Sequence, residues 1–136
     1  MTETTGYSRT PLIKKLGIKP GMTVFFSQPP DHYPGLLGPL PGDVERWDGE
    51  GQVDFIHHFE RSSEALERDF PELKSLIKKN GSLWVSWPKM SSKLESDLKD
   101  GIVRKIGLAA GLVDVKVCAV DQDWSGLKFM YRTKDR

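Results

Sequence analysis

Val113-Asp114-Val115-Lys116-Val117-Cys118-Ala119-Val120, then Asp121-Gln122-Asp123, then the run from Gly126 to Arg132, is the stretch that decides the architecture. Its first part is β-branched and alternating, the reading of a long strand. The polar break after it is too short for a crossover connection, so the two runs must pair as an antiparallel hairpin. The chain therefore ends in a hairpin, and the question becomes what sheet that hairpin closes.

Working backwards, Leu83-Trp84-Val85 has no polar interruption, as expected of a strand covered on both faces, and it stops at Pro88. Val53 to Phe59 is another strand, with Val53, Phe55, His57 and Phe59 predicted on one face. Val44 to Trp47 reads as a short edge strand. Thr23-Val24-Phe25-Phe26 reads as the first strand, ended by Gln28-Pro29-Pro30.

Helical patterns separate these runs. Thr10 is predicted to cap a short helix from Pro11 to Leu16 that ends at Gly17. A short irregular helix is expected at Tyr33–Leu37. Ser62 opens a longer one through Ala65, Leu66, Phe70, Leu73, Leu76 and Ile77, with Pro71 expected to break or re-start it and Asn80-Gly81 to stop it. Asp97 to Ala110 carries a further apolar stripe, closed by Gly111.

Strand–helix alternation argues for a mostly parallel sheet. The prediction is an α/β, three-layer Rossmann-like fold of six strands in spatial order 2-1-3-4-6-5, with a C-terminal antiparallel hairpin. That is the layout of class I methyltransferases, shortened by about one strand–helix unit. Residues 1–8 read as a flexible tail and 9–136 as a single domain.

The 136 residues suffice for one hydrophobic core. Twenty basic side chains face nineteen acidic ones, so no bulk field draws in nucleic acid or an anionic membrane. Cys118 is the only cysteine, which excludes an intrachain disulfide and a multi-cysteine metal centre. No apolar run reaches the length of a membrane span, and a cytoplasmic protein is expected.

Three stretches carry a resemblance. They are Tyr7-Ser8-Arg9-Thr10-Pro11-Leu12-Ile13-Lys14-Lys15-Leu16-Gly17-Ile18, then Leu83 to Lys89, then Gly111 to Asp121 with Trp124-Ser125-Gly126-Leu127-Lys128-Phe129. Together they resemble a bacterial family known only as domain of unknown function 3052. The resemblance implies a one-domain bacterial protein and carries no activity with it.

Methyltransferases of this layout need a glycine-rich turn after the first strand, where backbone approaches the cofactor. Here that turn is Ser27-Gln28-Pro29-Pro30-Asp31, without a glycine and with two backbone donors removed. Asp48 stands near the place of a ribose-binding acid, but a single acid beside a turn is ordinary. No cofactor is therefore expected.

His57 and His58 are strand neighbours and point to opposite faces, so they cannot chelate one ion together. They read as partly buried strand-end histidines, and His32 could approach only one of them. No metal site is expected. Cys118 and Trp124 read as core residues, Lys14-Lys15 and Lys78-Lys79 as solvated helix surface.

Ligands of open α/β sheets bind outside the carboxyl ends of the strands. That edge would gather Ser27, Gln28, His58, Glu60, Ser86, Trp87 and Lys89, a set able to hold a flat or anionic ligand. The alternative is that Trp87 and Pro88 only cap the core. Three functions follow: a non-enzymatic module binding a protein partner or small anionic ligand; an enzyme or small-molecule binder with a rearranged site at the strand ends; or a structural partner acting through Asp31–Gly51.

Overall fold

The computed structural model describes residues 10–136, and the tail expected at 1–8 lies outside them. The elements run α1 (Leu12–Leu16), β1 (Thr23–Ser27), α2 (Tyr33–Leu37), β2 (Glu45–Arg46), β3 (Val53–Phe59), α3 (Ser63–Leu76), β4 (Ile77–Pro88), α4 (Asp100–Ala109), β5 (Leu112–Ala119) and β6 (Trp124–Tyr131), with a short 3-10 turn at Thr133–Asp135. The sheet order is β2-β1-β3-β4-β6-β5, as the sequence predicts. Pairs β1·β2, β1·β3 and β3·β4 are parallel; β4·β6 and β5·β6 are antiparallel.

Two cores flank the sheet and give the three layers. On one side α3 and α4 place Leu66, Phe70, Leu73, Val103 and Ile106 on Ile56, Leu83, Val85 and Phe129. On the other, α1 and α2 place Leu12, Leu16, Tyr33 and Leu37 on Val24, Phe55, Phe59 and Trp84. Trp84 is wholly buried, and its indole N–H donates to the Leu16 carbonyl at 2.9 Å, locking α1 onto β4. No helix among the described residues is long and apolar enough to cross a membrane.

Several local expectations are corrected. Pro11, not Thr10, is the N-cap of α1, with φ −56° and ψ 143° and no side-chain cap bond. Pro71 does not break α3, which runs through it. Proline there removes the N–H that would bond the Glu67 carbonyl, but both residues lie on the exposed face, where water can serve. Burial of Leu66, Phe70 and Leu73 holds the helix on either side.

Asn80-Gly81 does not stop that helix either. Ile77 is buried and extended, so the chain leaves α3 directly into β4, and Gly81 lies inside the strand. A β-carbon on Gly81 would stand 2.9 Å from the Asp54 carbonyl, which is why glycine is needed at this approach. The register shifts here, between Val53↔Ile77 and Phe55↔Ser82. Val53 packs in the α3–α4 core while Phe55 and Phe59 pack in the other, against the single face expected for all of them.

The helix expected from Asp97 begins at Asp100. Asp97 instead accepts from the Ser63 N–H at 2.8 Å and its hydroxyl at 2.7 Å, serving the first turn of α3. Ser62 is the N-cap of α3, its hydroxyl accepting from the Ala65 N–H at 3.1 Å. Ser62→Ala is expected to cost about 1 kcal/mol, read as a lowered urea midpoint at unchanged slope.

Candidate functional site

The strand order reverses between β1 and β3, so their carboxyl ends form the switch-point crevice of the sheet. Ser27 and His58 are register partners there. The Ser27 hydroxyl lies 2.7 Å from His58 Nδ1. His58 Nε2 lies 3.4 Å from Glu60 Oε1 and is the only fully buried side-chain polar atom among the described residues without a hydrogen-bond partner.

Glu60 is itself held: its Oε2 accepts from the Arg61 N–H at 3.1 Å and the Ser62 N–H at 3.3 Å. Gln28 completes the group. Its amide nitrogen donates to the Phe59 carbonyl at 2.8 Å and to Glu60 Oε1 at 3.3 Å. The Gln28 side chain thus bridges the ends of β1 and β3 across the switch point. To do so its backbone takes φ +57°, a left-handed conformation uncommon outside glycine.

Burial lowers the His58 pKa, while the Glu60 charge beside it works in the opposite direction. The imidazole tautomer that suits both neighbours carries its proton on Nε2, facing the carboxylate, and leaves Nδ1 to accept from Ser27. Chemically, this arrangement can move a proton from a hydroxyl to an imidazole.

Ser86 does not join this group. It stands one residue past Val85, the register partner of His58, so its side chain leaves the opposite face of the sheet. There His57 Nε2 lies 2.8 Å from the Ser86 hydroxyl and His57 Nδ1 lies 2.7 Å from the Tyr33 hydroxyl. All three residues are buried, and the His57 ring stacks on Phe59 at 4.1 Å. Burial pushes the His57 pKa down to about 3, with the neighbouring His58 a smaller cause, and holds Tyr33 above the usual tyrosine range. The two histidines are therefore buried, not the partly buried pair expected.

Trp87 is buried among core residues, and Lys89 is half-exposed, its backbone N–H bonded to the Asp123 carbonyl at 2.8 Å. Ser27, Gln28, His58 and Glu60 are thus brought together, while Ser86 and Trp87 are committed to the interior. His32 approaches neither histidine; its Nε2 lies 2.7 Å from Asp121 Oδ2. Asp48 builds a turn by accepting from the Glu50 N–H at 3.0 Å. Cys118 is half-buried, and burial raises its thiol pKa despite Lys15 and Lys116 nearby. No three His, Cys, Asp or Glu side chains among the described residues are grouped to hold a metal ion.

Among the described residues, clefts open at this end. One, of about 860 Å³, is lined by Glu60, Arg61, Ser62, Leu94, Glu95, Ser96 and Asp97. A smaller one, of about 230 Å³, lies between β1 and β2 against Phe25, Phe26, Arg46 and Trp47.

No family model and no curated protein matches the chain. Solved structures do. A SAM-dependent methyltransferase from Aquifex aeolicus superposes with TM-score 0.66 at 19% identity, covering 89% of this chain and 88% of that one. Magnesium protoporphyrin IX methyltransferase from Synechocystis PCC 6803 gives 0.60 at 12% identity, covering 89% and 74%. The ribosomal protein L11 methylase of Lactobacillus delbrueckii subsp. bulgaricus gives 0.55 at 15%, covering 89% and 75%. At these identities the likeness is one of fold, and the fold is the Rossmann-like α/β sheet of the SAM-dependent methyltransferases.

Proposed function

We propose that this chain uses the methyltransferase fold without S-adenosylmethionine, as a small-molecule binding module whose site at the carboxyl edge has been rearranged around Gln28. One observation carries the reading. At the switch point, where S-adenosylmethionine would approach backbone, the Gln28 amide spans to Phe59 and Glu60. Pro29 and Pro30 then remove two of the backbone donors that would face the cofactor. These residues do not fit S-adenosylmethionine.

Lysine and tryptophan anchors are not needed for this reading, since Trp87 is core and the polar group is Ser27, Gln28, His58 and Glu60. The irregular Asp31–Gly51 segment is less suited to be a free partner surface, because Tyr33 and Leu37 in it are buried against the sheet. Membership of the bacterial family 3052, and a cytoplasmic setting, belong to the same proposal.

Isothermal calorimetry tests it. The protein should show no saturable heat with S-adenosylmethionine up to about 1 mM, an affinity ceiling near 4 kcal/mol. Micromolar binding with amide shifts around Ser27 and Gln28 would overturn the reading.

A further inference from the structure

Ser27, His58 and Glu60 form a hydroxyl–imidazole–carboxylate series whose members come from two neighbouring strands and the residue following one of them. We infer that Ser27 is a nucleophile that accepts an acyl group from a small ester or thioester, with His58 as its base and Glu60 as the residue that positions that base. The inference rests on the strand-edge site proposed above and assigns it a substrate class.

The order of contacts matches what such chemistry needs. A serine hydroxyl is a weak nucleophile until a base within hydrogen-bond reach takes its proton. His58 Nδ1 stands 2.7 Å from the Ser27 oxygen. A third group must then fix the imidazole tautomer, and Glu60 faces the other ring nitrogen at 3.4 Å. That separation is longer than a good hydrogen bond, and such contacts tighten when substrate binds. The buried, unpartnered Nε2 has the Glu60 carboxylate beside it to receive its proton's hydrogen bond.

Position and access agree. Ser27 ends β1, is half-exposed, and is followed by the strained Gln28, so the nucleophile sits at a sharp strand end. Of the three residues Ser27, His58 and Glu60, only Glu60 lines the cleft of about 860 Å³, whose other charged groups are Arg61, Glu95 and Asp97.

The step balances without a further reagent. The Ser27 oxygen bonds to the acyl carbon as the bond to the leaving alkoxide or thiolate breaks. The serine proton passes to His58 Nδ1 and then to the leaving group. Water, deprotonated by the same nitrogen, later releases the acid and restores Ser27. Pro29 and Pro30 supply no backbone N–H, so at most one such donor, that of Gln28, stands in the three residues after Ser27. A site with one such donor is expected to be slow, since each is worth about 10²–10³ in rate.

The test is therefore stoichiometric acylation, not turnover. Incubation of the folded protein with p-nitrophenyl acetate, followed by peptide mapping, should place an acetyl group on Ser27, and Ser27→Ala should abolish it. His58→Asn should slow it about 10²-fold or more. Glu60→Gln should slow it too and shift the acid limb of the rate to lower pH, because one of the two carboxylates that support imidazolium is gone and only Asp69 is left; a merely structural role would leave that limb in place. Thermal melts confirm that each variant is folded. Acetylation only at lysines or Cys118, or labelling of Ser27 unchanged in His58→Asn, would overturn the inference. Calorimetry on the same samples keeps the two proposals apart: S-adenosylmethionine binding refutes the binding-module reading, whereas absence of both binding and acylation refutes only the acyl acceptor.

Discussion

Acidification from pH 7 to pH 4 is expected to remove about 3 kcal/mol of stability through His57 alone. Its pKa in the folded protein is about 3, because the imidazole is fully buried between Tyr33, Ser86 and two phenylalanine rings. In the unfolded chain it returns to about 6.5. Between those values the unfolded chain binds a proton that the folded one refuses, so stability rises with pH there. The contribution is fully present above about pH 6.5 and is lost at about 1.4 kcal/mol per pH unit as the pH falls towards 3. His58, lowered in the same direction by burial, adds to the slope.

Against a total of about 5–15 kcal/mol for a small domain, such a loss brings the acid transition into reach of far-UV circular dichroism. Urea midpoints at a series of pH values measure it. His57→Gln keeps two polar atoms for Tyr33 and Ser86 but cannot titrate, so it should be less stable at pH 7 and lose less on acidification. An unchanged pH slope in that variant would sink the explanation.

Gly107→Val should destabilise the protein by about 3 kcal/mol or more, at the upper end of overpacking costs. A β-carbon on Gly107 would stand 2.1 Å from the Phe129 ring, so even alanine overlaps it. Phe129 has nowhere to retreat: it is wholly buried and meets Phe70 edge-on at 5.4 Å between centroids. The glycine is what lets α4 lie close on β6. Gly101 in the same helix has open space around its β-position, and Gly101→Ala should be neutral or stabilising by up to about 1 kcal/mol. Chemical denaturation of the pair separates the contact from the helix propensity, which favours alanine at both. Equal shifts in the two would refute the packing argument.

The candidate site was legible in part. The rule that ligands bind at strand carboxyl ends points to Ser27, Gln28, His58 and Glu60, and the structure gathers them, with hydrogen bonds from Ser27 to His58 and from Gln28 to Glu60. The same rule named Ser86 and Trp87, which the structure buries, because an edge rule ignores which face each residue leaves. The Tyr33–His57–Ser86 network went unread. Its signal was present, since His57 alternates with Phe55 and Phe59 on an apolar face, and a polar group there must find partners. The identity of those partners was not in the pattern, because Tyr33 and Ser86 lie on other elements.

The elements, their order and the closing hairpin are legible in the chain because they follow from short-range causes: hydrophobic period, proline and glycine punctuation, and a short polar break at Asp121-Gln122-Asp123 before the last strand. That Pro71 stays helical, that Gly81 lies inside a strand, and that Ser27 meets His58 while Ser86 meets His57 come from packing between distant segments. Those outcomes depend on burial of neighbouring side chains and on strand register. Register is a relation between segments distant in the chain, and shifting it by one residue exchanges every side chain between the two faces.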